Sequence, residues 1–159
     1  MSGQQLTLVY QDRHLVVVDK PGGLLAVPGR GPDKQDCVAS RVRYFVPECI
    51  EQPAVHRLDM DTSGLMVLGL TREAHRQLSI QFAERRVEKR YLALVDGPVA
   101  GDRGEIRLRF RLDPDNRPHQ VYDPVRGKLG ISLWRKRGGV CGGSLIEFTP
   151  LTGRTHQIR

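Results

Sequence analysis

Three cysteines, one tryptophan and no long apolar run are the scarcities that bound this 159-residue sequence. Cys37, Cys49 and Cys141 are odd in number, widely spaced and form no CxxC pair. That excludes a disulfide framework and a zinc ribbon as organising devices and leaves reduced structural thiols. No apolar stretch approaches the length of a membrane span. Met1–Gln5 also lacks the basic and apolar regions of a secretion signal, so no membrane partner and a cytoplasmic location are expected. Periodic repeats and low-complexity tracts are missing too. The 17 glycines and 10 prolines are scattered, and read as frequent turns in a strand-rich body. With 39% apolar and 27% charged residues, the chain is a folded one rather than a disordered one. Its length suits one domain with a core that needs no metal or disulfide staple.

What is present in excess is positive charge. The formal net charge is +7 and the isoelectric point is near 9.8, which points to a polyanionic partner. Between Glu105 and Arg137, nine basic residues stand against four acids, so +5 of the +7 lies in that stretch. A nucleic-acid surface and a merely solvated face account for such clustering equally well.

Patterning predicts an α+β domain with a largely antiparallel sheet. Leu6–Tyr10 and His14–Asp19 read as short strands. Lys20–Gly23 breaks the chain before Leu24–Val27, and 28–33 is a Gly/Pro loop. Asp36–Phe45 has a helical pattern, with Asp36 placed to cap it and Pro47 to stop it. Gly64–Leu70 is a buried strand. Thr71–Arg86 is the clearest helix: Thr71 caps it, Glu73 suits its first turn, Arg85 and Arg86 suit its end, and Ala74, Leu78 and Phe82 stack along one face. Val87–Asp96 follows as a strand. In Glu105–Leu112, Ile106, Leu108, Phe110 and Leu112 alternate with Arg107, Arg109 and Arg111. A half-buried strand exposing three guanidinium groups is expected, suited to phosphate and equally to guarding a sheet edge. Asp113–Lys128 reads as a long loop, and Ile131–Trp134 and Ser144–Thr149 as the last strands. Thr155–Arg159 reads as the first turn of another element.

The densest polar segment, His56-Arg57-Leu58-Asp59-Met60-Asp61-Thr62-Ser63-Gly64, precedes the apolar run 64–70. Charged and small residues at the mouth of a core strand suit the lining of a cleft. They also suit a plain turn, with Thr62 and Ser63 satisfying backbone groups and His56 hydrogen-bonded in the core. Specific chemistries fit poorly. The histidines show no HxxxH spacing that completes a metal ligand set, so no metal is expected. Ser63 is not in a GxSxG elbow, and Gly29-Arg30-Gly31 does not continue into a P-loop. Asp59 and Asp61 resemble a glycosidase carboxylate pair only superficially.

His56-Arg57-Leu58-Asp59 followed by Thr62-Ser63-Gly64-Leu65 resembles the central motif of the RluA-type RNA pseudouridine synthases. Three other segments resemble that family in the same order. They are Asp19-Lys20-Pro21-Gly22-Gly23-Leu24 with Val27-Pro28, Lys89–Val95 with Gly97, and Leu151-Thr152-Gly153-Arg154-Thr155-His156-Gln157-Ile158-Arg159. Four ordered motifs cover almost the whole chain, and each alone would be only suggestive. Arg117-Pro118-His119-Gln120 further resembles an RPxQ segment of the branch without an extra RNA-binding domain.

The resemblance implies the pseudouridine synthase fold, with flanking helices and a central RNA-binding cleft. It implies isomerisation of uridine in structured ribosomal or transfer RNA, without a cofactor and in a monomer. It assigns catalytic roles to Asp59, Tyr91 and Arg159: the essential aspartate, the active-site tyrosine and the basic partner of the aspartate. Arg57 matches the residue that fills the space left by a flipped base. His56, Arg107, Arg109, Arg111, Arg117 and Arg154 are further candidates for RNA contact. Because the family continues beyond its HQIR motif, a single catalytic domain spanning 1–159 and cut short at its C-terminus is expected, with no separate N-terminal RNA-binding domain. The competing readings are an RNA-binding module of the same fold without turnover and a hydrolase using Asp59 with Asp61.

Overall fold

A computed structural model describes residues 5–117 and 119–159. Pro118 of the RPxQ segment and the first four residues lie outside the described part. The chain divides after Val87 into two compact units.

The first unit holds a three-stranded antiparallel sheet, β1 (Thr7–Gln11), β2 (Leu15–Lys20) and β3 (Gly64–Gly69), with β2 in the middle. It also holds both helices, α1 (Val38–Phe45) and α2 (Arg72–Ala83). Alternation along β2 turns Val16, Val18 and Lys20 to one side, opposite Leu68, Met66 and Gly64 of β3. Val16, Val18, Met66 and Leu68 are buried there, and α1 adds Val38, Ala39 and Val42 to the core. Gly69 lets α2 approach β3, because a Cβ at that position would lie 2.6 Å from the main-chain N and Cα of His75.

The helix ends follow side-chain chemistry. Thr71 caps α2 as expected, its hydroxyl accepting from the Ala74 N–H at 3.2 Å. The helix stops at Ala83 rather than Arg86, since Arg85 takes a left-handed conformation at φ 58°. At α1 the cap is Cys37, whose sulfur accepts from Ser40 N–H, and not Asp36. The Asp36 carboxylate is occupied instead by the fork of Arg41, with two contacts of 2.7 Å.

The second unit is a five-stranded antiparallel sheet of order β4-β8-β7-β5-β6. Its strands are β4 (Tyr91–Val95), β5 (Arg103–Leu112), β6 (Gln120–Tyr122), β7 (Lys128–Val140) and β8 (Gly143–Pro150). The architecture is α+β with antiparallel strands, distributed over two sheets. β7 runs far beyond the expected Ile131–Trp134, because a bulge between Lys136 and Gly138 carries its basic end along β8. The two residues that join them, Cys141 (φ 44°) and Gly142 (φ 81°), form a mirror-type tight turn. β6 occupies part of the expected 113–128 loop and pairs Val121 with Arg111.

β5 alternates as the sequence predicts, but its apolar side is not half-buried. Ile106, Leu108 and Leu112 face Ser132, Gly130 and Gln120, partners too small or too polar to cover them. Ile106 is therefore 39% exposed and Leu108 47% exposed. Phe110 fares better by leaning over Gly130, where a Cβ would come within 2.8 Å of its ring.

Candidate active site

Asp59 sits on a turn immediately ahead of β3. The Thr62 N–H donates to the Asp59 carbonyl at 3.1 Å, closing the turn around Met60 and Asp61. Three anchors hold the segment that leads into it. The carbonyl of fully buried Pro53 accepts from Gly69 N–H, Ala54 bridges Leu68, and the Val67 N–H donates to Nε2 of His56 at 3.1 Å. The His56 ring also stacks on Phe82 of α2, with centroids 4.4 Å apart. Leu58 is buried beside Gly64, whereas Arg57 is exposed and Asp59 half-buried. Alternation thus fixes the aspartate through an apolar neighbour and leaves Arg57 open to solvent.

Facing this turn is the segment after β2. Gly23 N–H donates to the Met60 carbonyl at 2.9 Å, and the Asp61 carbonyl lies 3.2 Å from where a Cβ on Gly22 would stand. Beneath them is Lys20, wholly buried, its Nζ donating to the carbonyls of Pro21 at 2.9 Å, Leu24 at 2.7 Å and Met60 at 2.8 Å. Burial pushes its pKa down, against the pull of the Asp61 and Asp59 carboxylates.

Tyr91 and Arg159 belong to the second unit. Tyr91 opens β4, half-buried, opposite Phe148 and on the face that carries Trp134. Arg159 is exposed and follows a turn in which its N–H donates to the His156 carbonyl. The motif before it is stitched to β7 through Gln157. The Gln157 amide donates to the Ile131 carbonyl at 3.0 Å and to the Ser132 hydroxyl at 2.9 Å. Its oxygen accepts from the Thr152 hydroxyl at 2.7 Å and from Arg154 N–H at 2.9 Å. Arg154 donates its Nε–H to the Leu129 carbonyl.

The three β5 arginines share one face, and it is the face opposite Tyr91. None of them stands idle. Arg107 pairs with Glu105, Arg109 donates to the Gly127 carbonyl, and Arg111 pairs with Asp123 at 2.7 Å. Backbone N–H groups of Arg126 and Val125, together with Arg111, hold the Asp123 carboxyl down to about 2. Arg117 is exposed in the connection before β6.

The family model for RNA pseudouridylate synthase matches residues 14–159, through both units. The chain belongs to the RluA-type RNA pseudouridine synthases. It is 44% identical over 155 residues to the dual-specificity RNA pseudouridine synthase RluA of Haemophilus influenzae, covering 97% of this chain and 69% of that one. With the Escherichia coli protein of the same name the identity is 39%, over the same shares. Among solved structures it matches human RNA pseudouridylate synthase domain containing 1 with a TM-score of 0.76 and 28% identity. That match covers 98% of this chain but 63% of the human one, so this chain spans less than two thirds of its length.

The Asp59 turn is held by main-chain contacts together with the side chains of His56, Leu58 and Lys20. Sequence reasoning finds the motifs but misses the part played by two residues within them: Lys20, which bonds the Met60 carbonyl of the Asp59 turn, and Gln157, which ties the last motif to β7. Each lies inside a quoted motif. The one local signal for Lys20 is its spacing from Val16 and Val18, which puts it in the inward phase of β2. Among the described residues, no helix is long and apolar enough to cross a membrane.

Proposed function

We propose that this chain isomerises specific uridines to pseudouridine in structured ribosomal or transfer RNA, with Asp59 as the carboxylate that acts at the sugar. The observation that carries the reading is the Asp59 turn itself: a half-buried carboxylate on a closed turn, between an exposed arginine and a core strand, in the family's central motif. Isomerisation breaks the N1–C1′ bond, turns the base and joins C5 to C1′, so every heavy atom of the base is retained, the C5 proton is released and N1 takes up a proton in its place. Asp59 either attacks C1′ or takes the C2′ proton to give a glycal, and both routes use an anionic carboxylate. Tyr91 supplies a ring for uracil to stack on and a hydroxyl for the C5 proton. Arg159 is the basic partner that the family resemblance assigns to the aspartate.

The two units act as one catalytic domain in this reading, as a family match that runs through both supports. The target uridine is extruded from a stem-loop, and Arg57 fills its place. Arg154, Arg117 and the β5 arginines contact phosphates. The surface ion pairs of Arg107 and Arg111 are worth only about 0–1 kcal/mol each, so a phosphate can displace the protein carboxylate. Because these arginines lie on the sheet face away from Tyr91, their phosphates flank the target nucleotide rather than belong to it. A cytoplasmic monomer that needs no cofactor completes the reading.

Unmodified RNA tritiated at uridine C5, incubated with protein alone, tests it. Tritium release is expected from the wild type, with a drop of about a thousandfold or more in Asp59→Ala and a far milder effect in Asp61→Asn. Equal losses from both substitutions would favour the hydrolase-like pair. A folded chain that binds RNA but releases no tritium would be a binding module.

A further inference from the structure

A fourth arginine of β5, Arg103, is exposed on the same face as Arg107, Arg109 and Arg111, and nothing above uses it. Its cross-strand partner in β7 is Arg135, also exposed. Like charges placed directly opposite each other destabilise a sheet, and a guanidinium group does not relieve the conflict by losing its proton. No neighbouring carboxylate resolves it either. Arg103 forms no ion pair among the described residues. Glu147 stands opposite Arg135 in β8, but Arg137 holds both of its carboxylate oxygens at 2.7 Å. Hydrogen bonding from Arg137 is the main cause that pushes the Glu147 carboxyl down, and Arg90 and Arg135 add smaller pulls on the same group.

The surrounding structure keeps the two arginines in register. On the other face Trp134 lies over Gly104, where a Cβ would come within 2.7 Å of the indole nitrogen, so β5 and β7 meet closely at this level. Lys136 ties the segment leading into Arg103 to β7. Its N–H donates to the Asp102 carbonyl at 2.8 Å and its Nζ to the Val99 carbonyl at 3.0 Å. Neighbouring strands lie about 4.8 Å apart, so both guanidinium forks can reach the oxygens of one phosphate. Because the strands are already fixed, little ordering is left for the anion to impose.

We propose that Arg103 and Arg135 form a clamp for one phosphate of the RNA backbone, outside the target nucleotide. They lie on the sheet face opposite Tyr91, so the clamp anchors the substrate without touching the base that reacts. Arg107 and Arg111 must give up a protein carboxylate before they meet RNA. The clamp needs no such exchange, and a bound phosphate relieves its internal repulsion. The assignment rests on the RNA reading above, but not on turnover.

Fluorescence anisotropy of a labelled RNA stem-loop, titrated at several salt concentrations, provides the test. The double variant Arg103→Gln with Arg135→Gln is expected to bind about tenfold more weakly. Its slope of log affinity against log salt should be shallower by about 0.7–0.9, the loss of one phosphate contact. A control with the same charge change, Arg30→Gln with Arg43→Gln at two exposed positions of the first unit, should move both far less. In tritium release the single-turnover rate of the double variant at saturating RNA should stay within about twofold of wild type, with the loss confined to half-saturation. Urea unfolding of Arg103→Gln at low salt should show a midpoint equal to wild type or higher, because the repulsion is gone.

Wild-type affinity and slope in the double variant overturn the proposal. Equal losses in the control overturn it too, since they would reflect net charge alone. A lower urea midpoint in Arg103→Gln would make that arginine a stabilising residue, against the proposal. Arg103 also lies on the part of β5 beyond its pairing with β6. Self-association of Arg103→Gln with normal RNA binding would therefore make it a guard of the sheet edge instead. A wild-type chain that binds RNA but releases no tritium defeats the synthase reading alone, and the salt titration still decides the clamp.

Discussion

The two units solve the problem of presenting polar chemistry in opposite ways. Among the described residues, the buried hydrophobic core belongs to the first unit except for Ile146 and Phe148 of the second. The first unit therefore fixes its key carboxylate by packing. Leu58 is sunk beside it, β3 is buried behind it, and a lysine is driven into the core to hold its backbone. The second unit relies on hydrogen bonds laid across a sheet whose leucines stay open, with Gln157 and Thr152 riveting the last motif to β7. On the proposed function, apolar burial supplies stiffness to the one group that reacts, and exchangeable ion pairs suffice for a surface that meets a flexible polyanion.

That contrast can be broken by mutation. Met66→Ala, in the buried centre of β3, is expected to cost about 2–5 kcal/mol, read as a lower urea midpoint. A cost under 1 kcal/mol would mean that the first unit is no better packed than the second.

A smaller effect is expected at Asp123, whose carboxyl is depressed from 3.8 to about 2. A carboxyl held below its unfolded value contributes stability that is complete above the unfolded pKa and is lost as pH falls through the folded one. Part of the acid sensitivity between about pH 4 and pH 2 should therefore vanish in Asp123→Asn, with little change at pH 7 in that variant's own pH dependence. Urea titrations at a series of acidic pH values check this; an unchanged pH slope would remove the Arg111–Asp123 pair from the account. The smallest effect belongs to Leu108→Ser on the open side of β5, expected within about 0.5 kcal/mol of wild type. A loss of 2 kcal/mol there would show that this face is covered in solution and would sharpen the comparison against us.

Much of this was legible in the residues. Helix α2 and its Thr71 cap follow from the spacing of Ala74, Leu78 and Phe82, and β5 from strict alternation. The Asp59 turn stands out by its motif. What escaped sequence reading depends on partners far along the chain. β7 carries a Lys-Arg-Gly-Gly end that reads as a loop until β8 pairs with it. The open face of β5 depends on which residues stand opposite, and Ser132 and Gly130 lie more than twenty positions away. Lys20 escaped because a lysine in the inward phase of a strand makes sense only once the Met60 carbonyl is known to wait above it. Asp36 misled for a local reason: the cap position it suits lost its carboxylate to Arg41.

The tight turn between β7 and β8 has a practical corollary. It carries Cys141 at its exposed tip, whereas Cys37 is buried and Cys49 half-buried with its thiol pushed up by burial. Access favours Cys141 as the first of the three to react. A maleimide fluorophore added at one equivalent should therefore mark the tip of that hairpin in the native protein. The unaltered sequence thus comes with its own attachment point for an optical reporter, on the unit that carries Tyr91 and well separated in sequence from Asp59, from which RNA association can be followed in real time.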